Sequence, residues 1–471
     1  MGTIGSAAFS VLTHTPGLSY AAPSSPALGL SEQNPTSPSS NRIAFAMPMP
    51  SGLSRRAYWA GGEPIANLLM AKTLAHPEIV SLAAGFVDHP GLPVQPTQEA
   101  MAAVWRNPAL ARAALQYGTT LGYAPLRAAI LDRMLRADGL SAAQMGVSPD
   151  QVVITAGSNQ LLYLLGDILL DPGDVVICGA PTYFVYLGTL GNLGARAIGV
   201  ATDGEGLIPQ AVDDELRRWK ALGELERVKA IYVTTWYDNP TGVTLPAGRR
   251  AALVELARRW STARNIYLIE DTAYRELRYY GDDVPSMRSM DPRGDTVVVA
   301  GSFSKSFSPG LRLGWGILPR ALIEPVLAAK GNLDFGSPHF NQVLMATILE
   351  TGRFEPHLGQ IRACYREKID ALLDAADEHL GPIGGIDWVR PAGGLYLWLR
   401  LPESLDTGPA GPLFDRAVEE KVLYVPGEYC YPKHGGPVPR NMLRLSIGIP
   451  SCPQIRRGVE SLARAIRQVL R

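Results

Sequence analysis

The chain is poor in cysteine, carries no surplus of either charge and has no apolar run long enough to span a bilayer. Its four cysteines, Cys178, Cys364, Cys430 and Cys452, stand far apart in 471 residues and form no C-x-x-C. That spacing argues against a disulfide framework or a thiolate metal site and for a reducing compartment. Lysine and arginine total 44 and so do aspartate and glutamate, giving a formal net charge of zero. Nucleic-acid binders normally carry a basic surplus that displaces counterions, and none is present. The most apolar stretch, Leu161 to Leu170, is short and is interrupted by Asp167. The seven histidines, among them His89, His339 and His434, lack metal-ligand spacing. The expectation is a soluble cytoplasmic protein with no metal, no nucleic-acid partner and no membrane anchor.

What is present falls into blocks. The first 41 residues hold one charged side chain, Glu32, and are rich in Ser, Pro, Ala and Gly. They lack the basic start and continuous apolar run of a signal peptide, and they have little to bury. A disordered tail over 1–55 is expected. From Ala57 the pattern changes: Ile65, Leu68, Leu69 and Ala71, then Leu74, predict a first amphipathic helix. It lies in a segment, 56–100, expected to be an arm joining a smaller domain.

Beyond it, short β-branched runs alternate with helical patterns. The runs are Val152–Thr155, Val175–Cys178, Ala230–Thr234, Ile266–Ile269 and Thr296–Ala300. Continuous apolar runs with helices between them suit a sheet covered on both faces. Right-handed crossovers then bring the strand ends, and the loops after them, to one edge, where such folds bind ligands. Ile361–Leu380 and the spaced residues Ile455, Val459, Leu462, Ile466 and Val469 predict two long helices, with strands at Gly394–Leu399 and Met442–Ile447 between them. The expected fold is α/β: a large domain over 101–355 with a mostly parallel sheet between helices, plus a smaller α+β domain over 356–471. No internal repeat is visible.

Polar residues gather where the apolar strands end. Ile154–Gln160 passes from strand to helix through Gly157, and the free N–H groups of such a helix start suit a phosphate; Ser158 read alone is an N-cap. A turn signal, Asp238-Asn239-Pro240-Thr241-Gly242, follows the third run. The fourth runs into Glu270-Asp271, with Tyr274 one helical turn beyond. A carboxylate there is costly to desolvate and needs a partner, unless Asp271 is simply a cap. The fifth leads into Gly301–Arg312, where Lys305 is either a solvated lysine or an amine nucleophile whose pKa falls by burial or beside Arg312. Together these groups suit pyridoxal phosphate, which needs an imine-forming lysine, a carboxylate against its ring nitrogen, donors to its ring oxygen and an N–H-rich cationic cradle for its phosphate.

In these segments the chain resembles the fold-type I, class I/II aminotransferases, in particular the branch containing 2-aminoadipate and kynurenine aminotransferases. The matching segments include Ser81–Gly85, Gln116–Gly118, Gly157–Gln160, Pro181–Tyr183, Asp238–Gly242, Asp271–Tyr274, Ser302–Arg312 and Arg444–Ser446. The resemblance implies a mostly parallel sheet of the seven-stranded type and a homodimer with shared sites. It also implies that an amino group passes between an L-amino acid and a 2-oxo acid, 2-oxoglutarate in the first place, by a ping-pong route. Lys305 would carry the cofactor as an imine, Asp271 would pair with its ring nitrogen, Asn239 and Tyr274 would bind its ring oxygen, and Tyr183 would stack on its ring. Ser158, Asn159, Ser302 and Arg312 would hold its phosphate, with Tyr117 reaching across from the other subunit. Arg444 and Gly85, with Asn239, would bind the substrate carboxylate, a task suited to the guanidinium fork. Two departures stand out: the family usually has glutamine where Asn159 stands, and Ala84–Asp88 keeps half of the usual Gly-Gly-x-Pro-Asp.

Three rival readings remain open at this level. A β-lyase or decarboxylase of the same fold would share every residue above. Ser302-Phe303-Ser304-Lys305 also satisfies the S-x-x-K of serine acyl-enzymes, although no K-T-G follows. A transcription regulator with an aminotransferase-like domain would need an N-terminal winged helix, which the tail does not suggest.

Overall fold

In the computed structural model, described residues are 78–471 together with 52–54, 56–59, 65, 69 and 72. The tail expected over 1–55 lies outside them, apart from 52–54. Of the predicted first helix, Ile65 and Leu69 are helical and buried, while 68, 71 and 74 are outside the described residues. Apart from Gly52 and Leu53, all described residues belong to one compact unit, Ser54–Arg471.

Eight strands form the main sheet: β2 (Val152–Thr155), β3 (Val175–Ala180), β4 (Arg196–Asp203), β5 (Gly206–Leu207), β6 (Val228–Thr234), β7 (Tyr267–Asp271), β8 (Val297–Ser302) and β9 (Gly314–Ile317). Their order is β2-β9-β8-β7-β6-β3-β4-β5. The block β8-β7-β6-β3-β4 is parallel throughout, β9 runs antiparallel to both its neighbours, and β5 pairs back on β4. The eighth strand, beyond the seven expected, is that two-residue β5 at the edge. Each predicted run is a strand, because alternate side chains enter different cores. Val297 and Val299 join one cluster with Ile177, Ile231 and Leu268; Val298 and Ala300 join the opposite one with Val176, Tyr232 and Ile269. Both faces are therefore dry, and a polar residue at either register would be desolvated.

A smaller antiparallel sheet runs β10-β11-β14-β13, from Asp387–Trp388, Tyr396–Arg400, Met442–Ser446 and Val425–Pro426 respectively. A parallel pair, β1 (Val80–Ser81) with β12 (Val422–Leu423), adjoins it. The two predicted long helices are Phe354–His379 and Cys452–Val469. In the second, Ile455, Val459, Leu462 and Ile466 form a fully buried stripe at helical spacing. Its first turn is closed by Gln454, whose side-chain oxygen accepts from the Ser451 N–H at 2.8 Å.

Strands β4 and β9 were not anticipated. In β9 the glycines that hide the strand pattern are what the fold requires. A Cβ on Gly314 would lie 2.3 Å from Gly157 C and Ser158 N, and one on Gly316 would lie 2.7 Å from a Leu161 methyl. The β9 backbone thus lies directly beneath the turn that precedes helix Ser158–Leu169.

No helix among the described residues is long and apolar enough to cross a membrane. The four cysteines are free, and no cluster of three or more His, Cys, Asp or Glu with metal-binding placement occurs among the described residues.

Candidate active site at the strand ends

The carboxyl ends of β2, β3, β6, β7 and β8, with residues from the smaller sheet, open on a cavity of about 300 Å³. It is lined by every predicted site residue except Tyr117: Gly85, Ser158, Asn159, Tyr183, Asn239, Asp271, Tyr274, Ser302, Lys305, Arg312 and Arg444. A wider groove of about 700 Å³ lies between residues 88–99 and the start of helix Phe354–His379. It contains none of the predicted site residues. Tyr117 is on the surface, 80% exposed, with its ring edge-on to that of Phe335 at 5.5 Å.

Asp271 ends β7 and is 5% exposed. Tyr232 donates its hydroxyl to Asp271 Oδ2 at 2.9 Å, and the Ala273 N–H donates to Oδ1 at 3.0 Å. Burial raises the carboxyl above the ordinary aspartate range and these two donors oppose that rise. Both are uncharged, so a cationic N–H arriving from the cavity would complete the pair. The residues after Asp271 form hydrogen-bonded turns rather than the expected helix, with Arg275 N donating to Thr272 O and Leu277 N to Tyr274 O. Tyr274 still reaches the cavity, beside Asn239.

Lys305 sits in the turn after β8, and its Nζ donates to the carbonyl of Gly85 at 2.6 Å. Burial lowers its pKa; the Tyr396 hydroxyl works against that shift, and Arg444 and Arg312 add to it. Ser302 Oγ donates to Ser304 Oγ at 2.9 Å, with the Leu313 carbonyl at 3.4 Å. The serine and lysine of the S-x-x-K motif thus have separate partners, which leaves that rival without its nucleophile–base pair.

The N-cap of helix Ser158–Leu169 is Gly157, not Ser158, which is the first helical residue. Gly157 has φ of +84°, and a Cβ there would come within 2.7 Å of Arg312 Nη2. Glycine is needed there for its backbone angle, and the guanidinium lies directly against it. Arg312 itself takes a left-handed φ of 49°, an unfavourable conformation for a side-chain-bearing residue that holds its head over the helix start. Free N–H groups, the positive helix end and Arg312 make an anion cradle. Tyr183 lies beside it, its hydroxyl 3.5 Å from Asn159 Oδ1, with burial raising its pKa.

Arg444, on β14, is only 2% exposed. Its Nη1 donates to Asn239 Oδ1 at 2.6 Å and its Nη2 to the Ala83 carbonyl at 2.9 Å, while Nε is buried without a partner. The rings of Tyr396 and Phe184 lie 4.2 and 5.5 Å from the guanidinium carbon. Residues 80–86 reach this point because they follow the smaller sheet: Val80–Ser81 pair with β12, and Ser446 N donates to Leu82 O. A Cβ on Gly448 would lie 1.8 Å from the Phe86 carbonyl oxygen.

Tyr232, Phe184 and Tyr396 were not foreseen. Tyr232 and Tyr396 lie within apolar strand runs, where aromatics normally pack, and Phe184 begins a helix. The only local signal was the Gly393-Gly394 pair two residues before Tyr396.

An amine, a desolvated carboxyl without a charged partner, an anion cradle and a buried guanidinium with an orphan N–H therefore face one cavity. This donor set fits pyridoxal phosphate together with an α-carboxylate. Residues 77–462 match the family described as aminotransferase class I and II. The chain is 34% identical to the 2-aminoadipate transaminase of Thermus thermophilus, over 85% of this chain and 93% of that protein. It is 31% identical to aromatic-amino-acid aminotransferase 1 of Thermococcus litoralis, over 89% and 94%. The crystal structure of Pyrococcus horikoshii kynurenine aminotransferase, in complex with PMP, superposes with a TM-score of 0.80 at 30% identity, covering 89% of this chain and 98% of that one.

Proposed function

As the chain belongs to the class I and II aminotransferases, enzymes that work with pyridoxal phosphate, we propose that it moves an amino group from an L-amino acid to 2-oxoglutarate by a ping-pong route. The observation that carries this reading is the convergence of Lys305, Asp271 and Arg444 on one cavity. When bound, the cofactor supplies an electron-accepting ring that makes the substrate Cα–H acidic. Lys305 is the residue that holds the aldehyde and then, through Nζ, takes and returns the Cα proton. Its lowered pKa leaves more of it as free base near neutrality. Asp271 keeps a negative charge opposite the ring nitrogen, oriented by Tyr232 and Ala273. Asn239 and Tyr274 serve the ring oxygen and Tyr183 covers the ring. Ser158, Asn159, Ser302 and Arg312 hold the phosphate. Arg444, with Gly85 and Asn239, takes the α-carboxylate, and its orphan Nε–H supports that role.

The same reading makes the enzyme a homodimer. Leu115, Tyr117, Leu333 and Phe335 are all exposed, and Tyr117 and Phe335 touch, an apolar surface suited to a second copy. It also divides the chain into an arm at 56–100, a large domain at 101–355 and a small one at 356–471. Four free cysteines support a reducing compartment such as the cytoplasm.

The test is a panel of L-amino acids with 2-oxoglutarate, followed by identification of the oxo acids formed. Stoichiometric glutamate and parallel double-reciprocal plots are expected. Release of ammonia or carbon dioxide without glutamate would replace transamination by a lyase or a decarboxylase.

A further inference from the structure

A second phenol stands at the cavity, and nothing above gives it a task. Tyr396 begins β11 and shares a sheet face with Trp398, which pairs directly with Arg444 of β14. Its hydroxyl is 3.1 Å from that of Tyr274, with the two rings edge to face at 5.6 Å. The position is constrained on every side. A Cβ on Gly85 would come within 2.8 Å of the Tyr396 oxygen, and the Arg444 guanidinium stacks on the ring at 4.2 Å.

Hydrogen-bond counting fixes the direction of the Tyr274–Tyr396 contact. A phenol has one proton to give and two lone pairs to offer. Tyr274 accepts from Asn239 Nδ2 at 3.4 Å. Once its single proton is given to an oxygen in the cavity, the remaining lone pair can only accept, so Tyr396 must be the donor. Burial raises the Tyr274 phenol well above its ordinary range, so Tyr274 keeps its proton at working pH.

We propose that Tyr396 is a positioning residue that donates its hydroxyl proton to Tyr274, aligning and strengthening the bond Tyr274 gives to the ring oxygen of pyridoxal phosphate. Donation into a phenol polarises the proton it gives in turn, and a low-dielectric site enlarges the effect. The inference rests on the cofactor reading above and adds a residue to it. A donor at the ring oxygen stabilises negative charge there, and that charge is least compensated once the neighbouring nitrogen, joined to Lys305, has lost its proton. The Tyr396 hydroxyl therefore lowers the pH at which this nitrogen titrates.

The experiment is a spectrophotometric pH titration of the holoenzyme's long-wavelength band, with cofactor affinity measured in parallel. The proteins compared are wild type, Tyr396→Phe, Tyr274→Phe and the double variant. Tyr396→Phe keeps the ring and its stacking on Arg444 and removes one oxygen. Its midpoint should rise by about half to one pH unit and its cofactor Kd several-fold, the scale of one hydrogen bond. In the Tyr274→Phe background the same change should shift the midpoint no further, because Tyr396 acts through Tyr274. A midpoint unmoved by Tyr396→Phe, or moved equally in both backgrounds, would overturn the proposal and leave a packing role. Wild-type protein that shows no such band with added pyridoxal phosphate would overturn the cofactor reading itself, a separate result.

Discussion

The side-chain nitrogen of Lys305 donates at 2.6 Å to the carbonyl oxygen of Gly85, a residue 220 positions earlier in the chain. The bond ties the turn after β8 to the segment that follows the smaller sheet. It also gives the amine a neutral acceptor in a site otherwise crowded by Arg444 and Arg312. Lys305→Ala should lower kcat on the order of 10⁴-fold and abolish borohydride-stable labelling by pyridoxal phosphate, with the melting temperature little changed. Steady-state kinetics and peptide mapping of the reduced protein check this. Label retained at another lysine would displace Lys305 from its role.

Arg444→Lys keeps a charge but loses the fork that spans Asn239 and Ala83. The KM for the amino acid should rise about 100-fold, as expected where a bidentate charged pair is lost. The cofactor Kd should stay within about threefold, because the proposed function puts Arg444 on the carboxylate and not the phosphate. A reversed pattern would move Arg444 into the cofactor cradle.

Two glycines near the cradle separate steric need from mere proximity. A Cβ on Gly314 would meet backbone atoms at 2.3 Å, whereas one on Gly310 would meet only Ser308 Oγ at 3.7 Å. Backbone cannot yield as a flexible side chain can, so Gly314→Ala should displace the helix start and weaken cofactor binding by about tenfold or more. Gly310→Ala should bind as wild type. Fluorescence titration of the apoenzymes reads both.

Asp238 accepts from Thr241 Oγ1 at 2.8 Å at the turn beside Asn239, and burial pushes its carboxyl up to about 6. A raised folded pKa means that the folded state holds the proton more tightly than the unfolded chain. The associated stability is present below the ordinary aspartate value and is lost as pH rises through about 6. Relative to Asp238→Asn, the wild-type apoenzyme should lose melting temperature between about pH 4 and 7, with the difference constant above that window. Differential scanning calorimetry of both proteins across that range is the measurement; a difference independent of pH would show that Asp238 is not desolvated.

Much of the fold was legible because period and polarity are local properties. The runs that became β2, β3, β6, β7 and β8 read as strands of a doubly covered sheet, since they are short, rich in β-branched residues and set between helical patterns, and both their faces are buried. The cradle turn, Asp271 and Lys305 were legible for the converse reason: polar groups at the ends of such strands are expensive unless they have work to do. β9 was not legible. Its glycines answer to the backbone of Gly157 and Ser158, neighbours that exist only once the sheet has closed.

Sequence alone therefore determined five strands of the main sheet, two of the smaller one, the two long helices and the kinds of group that meet at the sheet's edge, because these follow from side-chain chemistry taken a few residues at a time. Tertiary structure decided which of those groups touch. Lys305 reaches Gly85, Arg444 is held between Tyr396 and Phe184, and Tyr232 supports Asp271, across separations of 220, 48, 260 and 39 positions. A tyrosine in an apolar strand looks the same in sequence whether its hydroxyl ends in the core or beside a second phenol. Only packing, by setting where the oxygen lies and what it can accept or donate, separates Tyr396 from an ordinary buried aromatic.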